Sequence, residues 1–232
     1  MVVGNGLISN AFRTAYAQSK SVCIYAAGVS NSMCVKISEF ERERELLNLV
    51  LNKSKDLDCF VYFSSCSVLD PEHQLTPYVL HKLSMEKIVA CHSRHLIFRV
   101  PIVASKSSNP YTLLNFLNAR IVSGQPFQVW AKSYRNIIDI DDLVNIAKFL
   151  INDNSMRQMI INIANPVNYS VIDIVRKIEI IAEKKAVYEL IECGSEYKID
   201  VSVIKRFIGN SFDALGCNYL ENVIGKYYGK VD

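Results

Sequence analysis

Short apolar runs alternate with longer amphipathic stretches along the whole chain. Met1–Val3 is a brief apolar stub. Ser21–Ala26, Phe60–Ser64, Leu96–Val100, Phe127–Trp130 and Met159–Ile163 are β-branched or aromatic runs that predict buried strands. Between them, Leu7–Ser19, Ile37–Leu51, Tyr78–Cys91, Tyr111–Val122, Asp141–Leu150 and Ser170–Glu183 predict helices. In Ile37–Leu51, the apolar positions Ile37, Phe40, Leu47 and Leu51 form one stripe, with Glu and Arg on the other face. Thr76-Pro77 opens a helix and Ser123-Gly124 closes one. Ser170 is an N-cap, and the acidic residues at Asp141 and Asp142 suit a positive helix N-terminus. The Ser, Lys and Asn residues between Ala104 and Asn109 mark a loop, and short strands and helices mix beyond Glu183.

Strands that alternate with helices imply an α/β fold, a doubly wound parallel sheet with helices on both faces. The pattern divides into a core of residues 1–104 with 137–165 and a small C-terminal lobe of 105–136 with 166–232. Ligands of such sheets bind beyond the carboxyl ends of the strands. Gly4–Ser9, Ala26–Ser32, Ser64–Ser67 and Val100–Ser105 all fall there.

Two of these strand ends carry chemistry. Val2-Val-Gly-Asn-Gly-Leu-Ile-Ser9 contains Gly-x-Gly-x-x-Ser. Its glycines allow a tight turn and close approach of backbone to a pyrophosphate, and the helix that follows favours the anion. The second site starts where Phe60-Val-Tyr-Phe-Ser-Ser65 ends in two serines, a short loop before Tyr78-Val-Leu-His-Lys82. Residues i and i+4 share a helix face. A free tyrosine has a pKa of about 10 and is a poor base. A cation one turn away favours the phenolate. Such a tyrosine passes a proton to or from an alcohol or carbonyl, and a strand-end serine can hold the same oxygen.

These motifs, in this order, resemble the extended short-chain dehydrogenase/reductase family, also called NAD-dependent epimerase/dehydratases. Further segments are similar to that family: Tyr25-Ala-Ala-Gly28, Arg99-Val-Pro101, Tyr134-Arg-Asn-Ile-Ile-Asp-Ile-Asp-Asp142, and Asn162-Ile-Ala-Asn-Pro166 with Tyr169-Ser-Val171. The resemblance covers nearly the whole chain. It implies a Rossmann-like core with a substrate-binding lobe, and Ser65, Tyr78 and Lys82 as catalytic residues. It implies NAD or NADP held by Gly4, Asn5, Gly6, Leu7, Ile8, Ala26, Ala27, Gly28, Ser64, Tyr78, Lys82, Arg99, Val100 and Pro101. A nucleotide-sugar substrate would meet Ser30, Asn31, Ser32, Cys66, Gln128 and Arg135, with Arg135 gripping a diphosphate and Lys132 a weaker candidate. For Arg135 the alternative is a surface ion pair with Asp139 or Asp141, and for Ser30–Ser32 a plain turn. A homodimer through the helices Ile37–Leu51 and Tyr78–Cys91 follows from the resemblance alone.

Two departures narrow this reading. Few residues separate Ser9 from Ala26, where the family has two further strands, one ending in the residue that reads the adenosine ribose. NAD and NADP therefore stay open, as does the adenosine side of the pocket. The loop from Ser65 to Tyr78 is also shorter than usual, which makes this a pared-down member. Where related 4,6-dehydratases carry an acid and a base after the catalytic hydroxyl, this chain has Cys66 and Ser67. That disfavours dehydration and leaves 4-keto reduction or epimerisation, in surface polysaccharide or deoxysugar synthesis. Cys66 is better read as a small buried filler than as a catalytic thiol. The alternatives are a reductase of a small non-sugar ketone, or a regulatory NAD(P)-binding protein without turnover.

Composition sets the outer bounds. The chain has 232 residues, 50% hydrophobic, with 26 basic and 23 acidic residues and net charge +3. That balance offers no stripe for nucleic acid and no acidic tail. Lys184-Lys185 and Lys205-Arg206 read as solvated helix faces. No apolar run reaches the roughly 18 residues that span a bilayer. No charged-then-apolar leader opens the chain, so a cytoplasmic protein is expected. The seven cysteines are scattered, which suits a reducing compartment. Without Cys-x-x-Cys or His-x-x-x-His no metal site is expected, and His92 and His95 read as surface residues.

Overall fold

The computed structural model describes residues 1–107, 109–110, 112–209, 215–216 and 218–229. Tyr111, the expected first residue of a helix, and Cys217 lie outside the described residues. In chain order the elements begin with β1 (Val2–Val3), α1 (Leu7–Tyr16), β2 (Val22–Tyr25), α2 (Ile37–Lys53) and β3 (Cys59–Ser65). A 3-10 turn, Cys66–Leu69, leads to α3 (Pro77–Ala90), β4 (His95–Val100) and β5 (Ile102–Ala104). Then come α4 (Leu113–Ser123), β6 (Phe127–Trp130), β7 (Tyr134–Arg135), β8 (Ile137–Asp139), α5 (Ile140–Asn152) and β9 (Met159–Asn162). The last elements are β10 (Tyr169–Ser170), α6 (Val171–Ala182), β11 (Tyr188–Ile191), α7 (Ser202–Ile208) and α8 (Tyr219–Tyr228).

The central sheet is parallel, five strands in the order β1-β2-β3-β4-β9. Successive side chains of a strand point to opposite faces, so each strand supplies two cores. On one face Ile24, Val61, Phe63, Leu96, Phe98 and Ile161 pack with Phe12 of α1 and with Leu143, Val144 and Ala147 of α5. On the other, Cys23, Tyr25, Phe60, Tyr62 and Ile97 pack with Leu47 and Val50 of α2 and Met85 and Val89 of α3. The first core runs on through α4, α6 and α8, so the C-terminal elements share it. Two-stranded pairings join β5 to β8, β7 to β10 and β6 to β11.

Local chemistry accounts for the element ends. Thr76 Oγ1 accepts from the Val79 amide with Pro77 in the first turn, and Ser170 Oγ accepts from Asp173 N. Gly124 closes α4 in the left-handed region at φ 67°. Asp139 caps α5. Tyr219 of α8 accepts from Asp139 N at 2.7 Å and donates to Asp142 at 2.6 Å, while Lys226 bridges Asp139 and Asp141.

Some expectations are corrected. The stripe on α2 is incomplete: Leu47 is buried, Phe40 and Leu51 are half-buried, and Ile37 is exposed, while Glu43, expected on the polar face but spaced between Phe40 and Leu47 on the stripe, is fully buried. His95 is buried too, because it opens central strand β4 and donates from Nδ1 to the His92 carbonyl at 2.7 Å. Lys184 and Lys185 are exposed beyond the end of α6 rather than on its face. Among the described residues no helix is long and apolar enough to cross a membrane.

Phe12 is inaccessible to solvent and packs its ring 5.4 Å from that of Phe63 and 6.0 Å from that of Tyr16. Phe12→Ala is expected to cost about 3–5 kcal/mol. Urea unfolding of the variant, compared with the parent at equal slope, measures it.

Candidate active site

The parallel strands end along one edge of the sheet, and the sequence motifs collect there. After β1, Gly4 has φ 122°, and a Cβ on it would lie 2.4 Å from the Ala26 carbonyl oxygen. Only glycine allows β1 and β2 to finish this close together. Gly6 is the N-cap of α1 without a side-chain cap, and the first turn has no acidic residue. The free N–H groups there form an anion-binding end. Ser9, in the position usually held by a third glycine, is fully buried and donates to the Gly6 carbonyl at 2.8 Å. Arg13 reaches back from α1 to the Gly4 carbonyl and, at 3.0 Å, to Asn5 Oδ1, so an exposed guanidinium braces the loop. Asn5 and Gly6 are exposed, and Leu7, Ile8, Ala26, Ala27 and Gly28 half-exposed.

The chain between the glycine loop and β2 is short, as the sequence spacing implies. Among the described residues β1 is the edge of the sheet and pairs only with β2. The structure therefore offers a glycine cradle for a diphosphate, and no strand beyond it to frame an adenosine ribose.

Tyr78 lies in the first turn of α3 and is almost fully buried. Among the described residues its hydroxyl makes no hydrogen bond, while the Lys82 ammonium lies 5.8 Å from the centre of its ring. Lys82 does not stand alone. Its Nζ donates to the Glu43 carboxylate at 3.1 and 3.3 Å and to the Tyr62 hydroxyl at 3.4 Å. Glu43 also accepts from Val29 N at 2.6 Å, from Tyr62 at 2.8 Å and from His81 Nε2 at 3.0 Å. Buried charges need such complete pairing. The His81 ring, the Lys82 ammonium and the surrounding hydrogen bonds outweigh desolvation and hold the Glu43 carboxyl down to about 2. Burial and the adjacent carboxylate raise the Tyr62 phenol well above its ordinary range, so it serves as a donor. Gly28 makes room for this cluster: a Cβ there would lie 2.6 Å from Lys82 Nζ and 2.7 Å from Glu43 Oε1.

Neighbouring serines on β3 diverge. Ser64 donates to Glu86 at 2.6 Å, and Arg99 grips the same carboxylate with two bonds at 2.9 and 2.6 Å. These two side chains are committed to a buried ion pair under the sheet edge, where Ser64 stands beside Arg99 and Ser65 beside Val100. Ser65 caps the 3-10 turn, accepting from Ser67 N at 3.1 Å and contacting Ser67 Oγ at 3.0 Å. Cys66 is fully buried, and burial pushes its thiol up to about 12. As the chain is folded, it has no surface to offer a substrate, which corrects its place among the substrate contacts and fits a filler. Val100 is buried and Pro101 half-buried.

Of the remaining candidates, Ser30, Asn31 and Ser32 are exposed in a turn in which Asn31 Oδ1 accepts from Met33 N at 3.0 Å. Gln128 is exposed on β6 with its amide 3.4 Å from Glu189, and Lys132 pairs with Glu192 at 3.5 Å. Arg135 is half-buried and donates to the Tyr134 carbonyl at 2.7 Å. The expected alternative of an ion pair with Asp139 or Asp141 does not form, because Lys226 takes both. Tyr197, which sequence reasoning missed, joins this region. Burial holds its phenol above the ordinary range, Cys66, Asp70 and Tyr78 add to the effect, and Arg135 opposes it. Backbone bonds from Lys132 N to Cys193 O and from Tyr134 N to Ser195 O, each 3.1 Å, tie the chain before Tyr197 to the segment that carries Arg135. Glu43 was missed as well. The only hint was an acidic residue at a core-facing position of an otherwise amphipathic helix. Among the described residues, no group of three His, Cys, Asp or Glu side chains could hold a metal ion.

No protein-family profile matches the chain, and no curated protein matches it in sequence. Solved structures do. UDP-glucuronic acid 4-epimerase from Bacillus cereus, solved with UDP-glucuronic acid and NAD, superposes with a TM-score of 0.71 at 18% identity, over 94% of this chain and 79% of that one. RMD from Pseudomonas aeruginosa, complexed with NADPH, gives 0.71 at 14% identity, over 95% and 98%. dTDP-glucose 4,6-dehydratase from Bacillus anthracis, in complex with NAD, gives 0.68 at 15% identity, over 96% and 79%. The chain has the Rossmann-like epimerase/dehydratase fold of these proteins.

The lowered Glu43 carboxyl stabilises the fold above its unfolded range, and that contribution disappears as pH falls from about 4.5 to about 2. Glu43→Gln leaves a buried cation unpaired and is expected to cost on the order of 3–5 kcal/mol at neutral pH. The gap between parent and variant should close through that acid window, as urea unfolding at a series of pH values measures.

Proposed function

We propose that this protein is an NAD(P)-dependent oxidoreductase of the epimerase/dehydratase kind that acts on a nucleotide-activated sugar, by 4-keto reduction or epimerisation. The carrying observation is the arrangement at one sheet edge: the Gly4 cradle at the open end of α1, and Tyr78 with an unpartnered hydroxyl beside Lys82. The glycine loop and the uncapped end of α1 fit the cofactor's diphosphate, with Gly4, Asn5, Gly6, Leu7 and Ile8 around it. Ala26, Ala27 and Gly28 would lie beside it. When bound, the nicotinamide supplies or accepts hydride.

In this reading Tyr78 gives a proton to, or takes one from, the reacting sugar oxygen. Ser65 hydrogen-bonds that oxygen, Lys82 holds the phenol's surroundings and the nicotinamide ribose, and Arg135 meets the substrate diphosphate. Tyr197, within electrostatic reach of both Tyr78 and Arg135, would close the sugar between the two lobes. The core and lobe division and a homodimer through α2 and α3 belong to the same proposal. Exposed Ile37 on α2 and Leu80 on α3 support the dimer. The solved neighbours bound to UDP-glucuronic acid support a nucleotide sugar as the substrate class.

Tyr78→Phe is expected to lower turnover of a 4-keto nucleotide sugar by roughly two to four orders of magnitude while NADH or NADPH binding, read by nicotinamide fluorescence, stays nearly unchanged. Turnover at the parent rate would remove Tyr78 from the mechanism. Arg135→Ala should raise KM for the nucleotide sugar far more than it lowers kcat, as steady-state kinetics would show.

A further inference from the structure

A cavity of about 260 Å3 opens between residues 165–168, after β9, and residues 196–199, before α7. Asn136 and Asn165 are its most buried lining residues, 7% and 1% exposed. Asn136 Nδ2 donates to the Asn165 carbonyl at 2.8 Å and to Asn168 Oδ1 at 3.0 Å, while its own Oδ1 accepts from Asn165 N at 3.0 Å. Asn168 Nδ2 joins the two walls, donating to the Tyr197 carbonyl at 2.9 Å and to Glu196 Oε1 at 3.3 Å. Asn162, at the end of β9, holds the Asp200 carbonyl at 2.9 Å. The walls are thus fixed before any ligand arrives, which removes the cost of ordering them. Nothing in the proposed reaction uses this cavity. Tyr197 lies between Glu196 and Lys198 in sequence but does not line it, and stands within electrostatic reach of Tyr78 and Arg135 instead.

The lining is balanced in charge. Lys198 brings an ammonium that has neither an ion pair nor a hydrogen bond among the described residues. Glu196 brings a carboxylate whose partner is the Asn168 amide. A lone anion drawn by Lys198 would meet Glu196, and a lone cation the reverse. The side-chain oxygens of Asn136, Asn165 and Asn168 each accept one bond and keep a second lone pair, and Asn165 Nδ2 keeps a second hydrogen. Free donors and acceptors together match hydroxyl groups, each of which is both. Pro166 and Ile199 add apolar surface for the C–H face of a ring. A cavity of about 150 Å3 holds benzene, so this one has room for a six-membered ring with its hydroxyls. We propose that it is a second binding site, for a neutral sugar ring, separate from the one proposed for the nucleotide sugar. The ring is either a free monosaccharide or the end unit of a glycan, and both present the same hydroxyls.

Saturation-transfer NMR of the full chain with glucose, galactose and mannose tests this. It needs neither nucleotide nor nicotinamide, so the result is independent of the oxidoreductase reading. At least one hexose should bind, with an affinity that does not change between low and high salt. Lys198→Met and Glu196→Ala, both at exposed side chains, should each weaken it by roughly tenfold, while Arg135→Ala and Tyr78→Phe leave it as in the parent. Tighter binding of a disaccharide than of its monosaccharide supports the site with a glycan as its source, and equal binding supports it with a free sugar. No binding of any of the three hexoses would overturn the proposal. So would binding that survives both Lys198→Met and Glu196→Ala, or that is lost with Arg135→Ala and so belongs to the nucleotide-sugar site. Binding of free alanine in place of a hexose, weakened by salt, would make the ligand a zwitterion and overturn the class proposed.

Discussion

The ion pair between Glu43 and Lys82 is the constraint around which the site is built. An ammonium and a carboxylate are both removed from water, an arrangement that is stable only when every hydrogen bond is met. The chain meets them from three directions. Tyr62 comes from the middle strand, His81 from the same turn as Lys82, and the Val29 amide from the loop after β2. Each of these commitments fixes an element. Helix α2 must lie against α3, the loop after β2 must pass over both, and residue 28 must lack a side chain. The orientation of Tyr78 follows, since Lys82 lies one helical turn beyond it, above its ring.

A second constraint acts on the cofactor side. Among the described residues β1 stands at the sheet edge, so no strand flanks the glycine loop on its outer side. The grip that remains is made by backbone: the glycine loop, the uncapped end of α1, and Arg13 bracing the loop from behind. Backbone N–H groups and a helix dipole recognise a diphosphate without regard to what lies beyond it. Discrimination between a ribose hydroxyl and a ribose phosphate needs side chains on a neighbouring strand, and the described residues supply none.

Much of this was legible in the sequence because it is local. The strand and helix alternation, the Thr76-Pro77 and Ser170 caps and the Gly124 stop depend on neighbouring residues, and all recur in the structure. So does the position of the glycine loop, Ser65, Tyr78 and Lys82 at strand ends and on α3. What escaped is non-local. Amphipathic logic assigns Glu43 to solvent because it weighs a residue's own polarity, whereas burial here is decided by partners far along the chain. His95 went the same way: a strand in the middle of a sheet buries what it carries. The short strands β5, β7 and β8 pair only across long intervals, so no periodicity marks them. Tyr197 lies in irregular chain docked by backbone bonds to the Lys132–Tyr134 segment, which no pattern of side chains signals. Ser64 and Cys66, on either side of Ser65 in sequence, are turned into buried contacts by the alternation of the strand and the start of the 3-10 turn.

The most direct measurement is the nicotinamide content of the freshly purified protein after denaturation, followed by titration of the folded protein with NADH and NADPH. The account predicts a protein that either carries a nicotinamide dinucleotide or takes up one or both reduced forms. Stoichiometric NAD carried through purification would point to epimerisation, and an empty protein that takes up a reduced dinucleotide to reduction. A protein that is empty and binds neither would contradict the account at its centre.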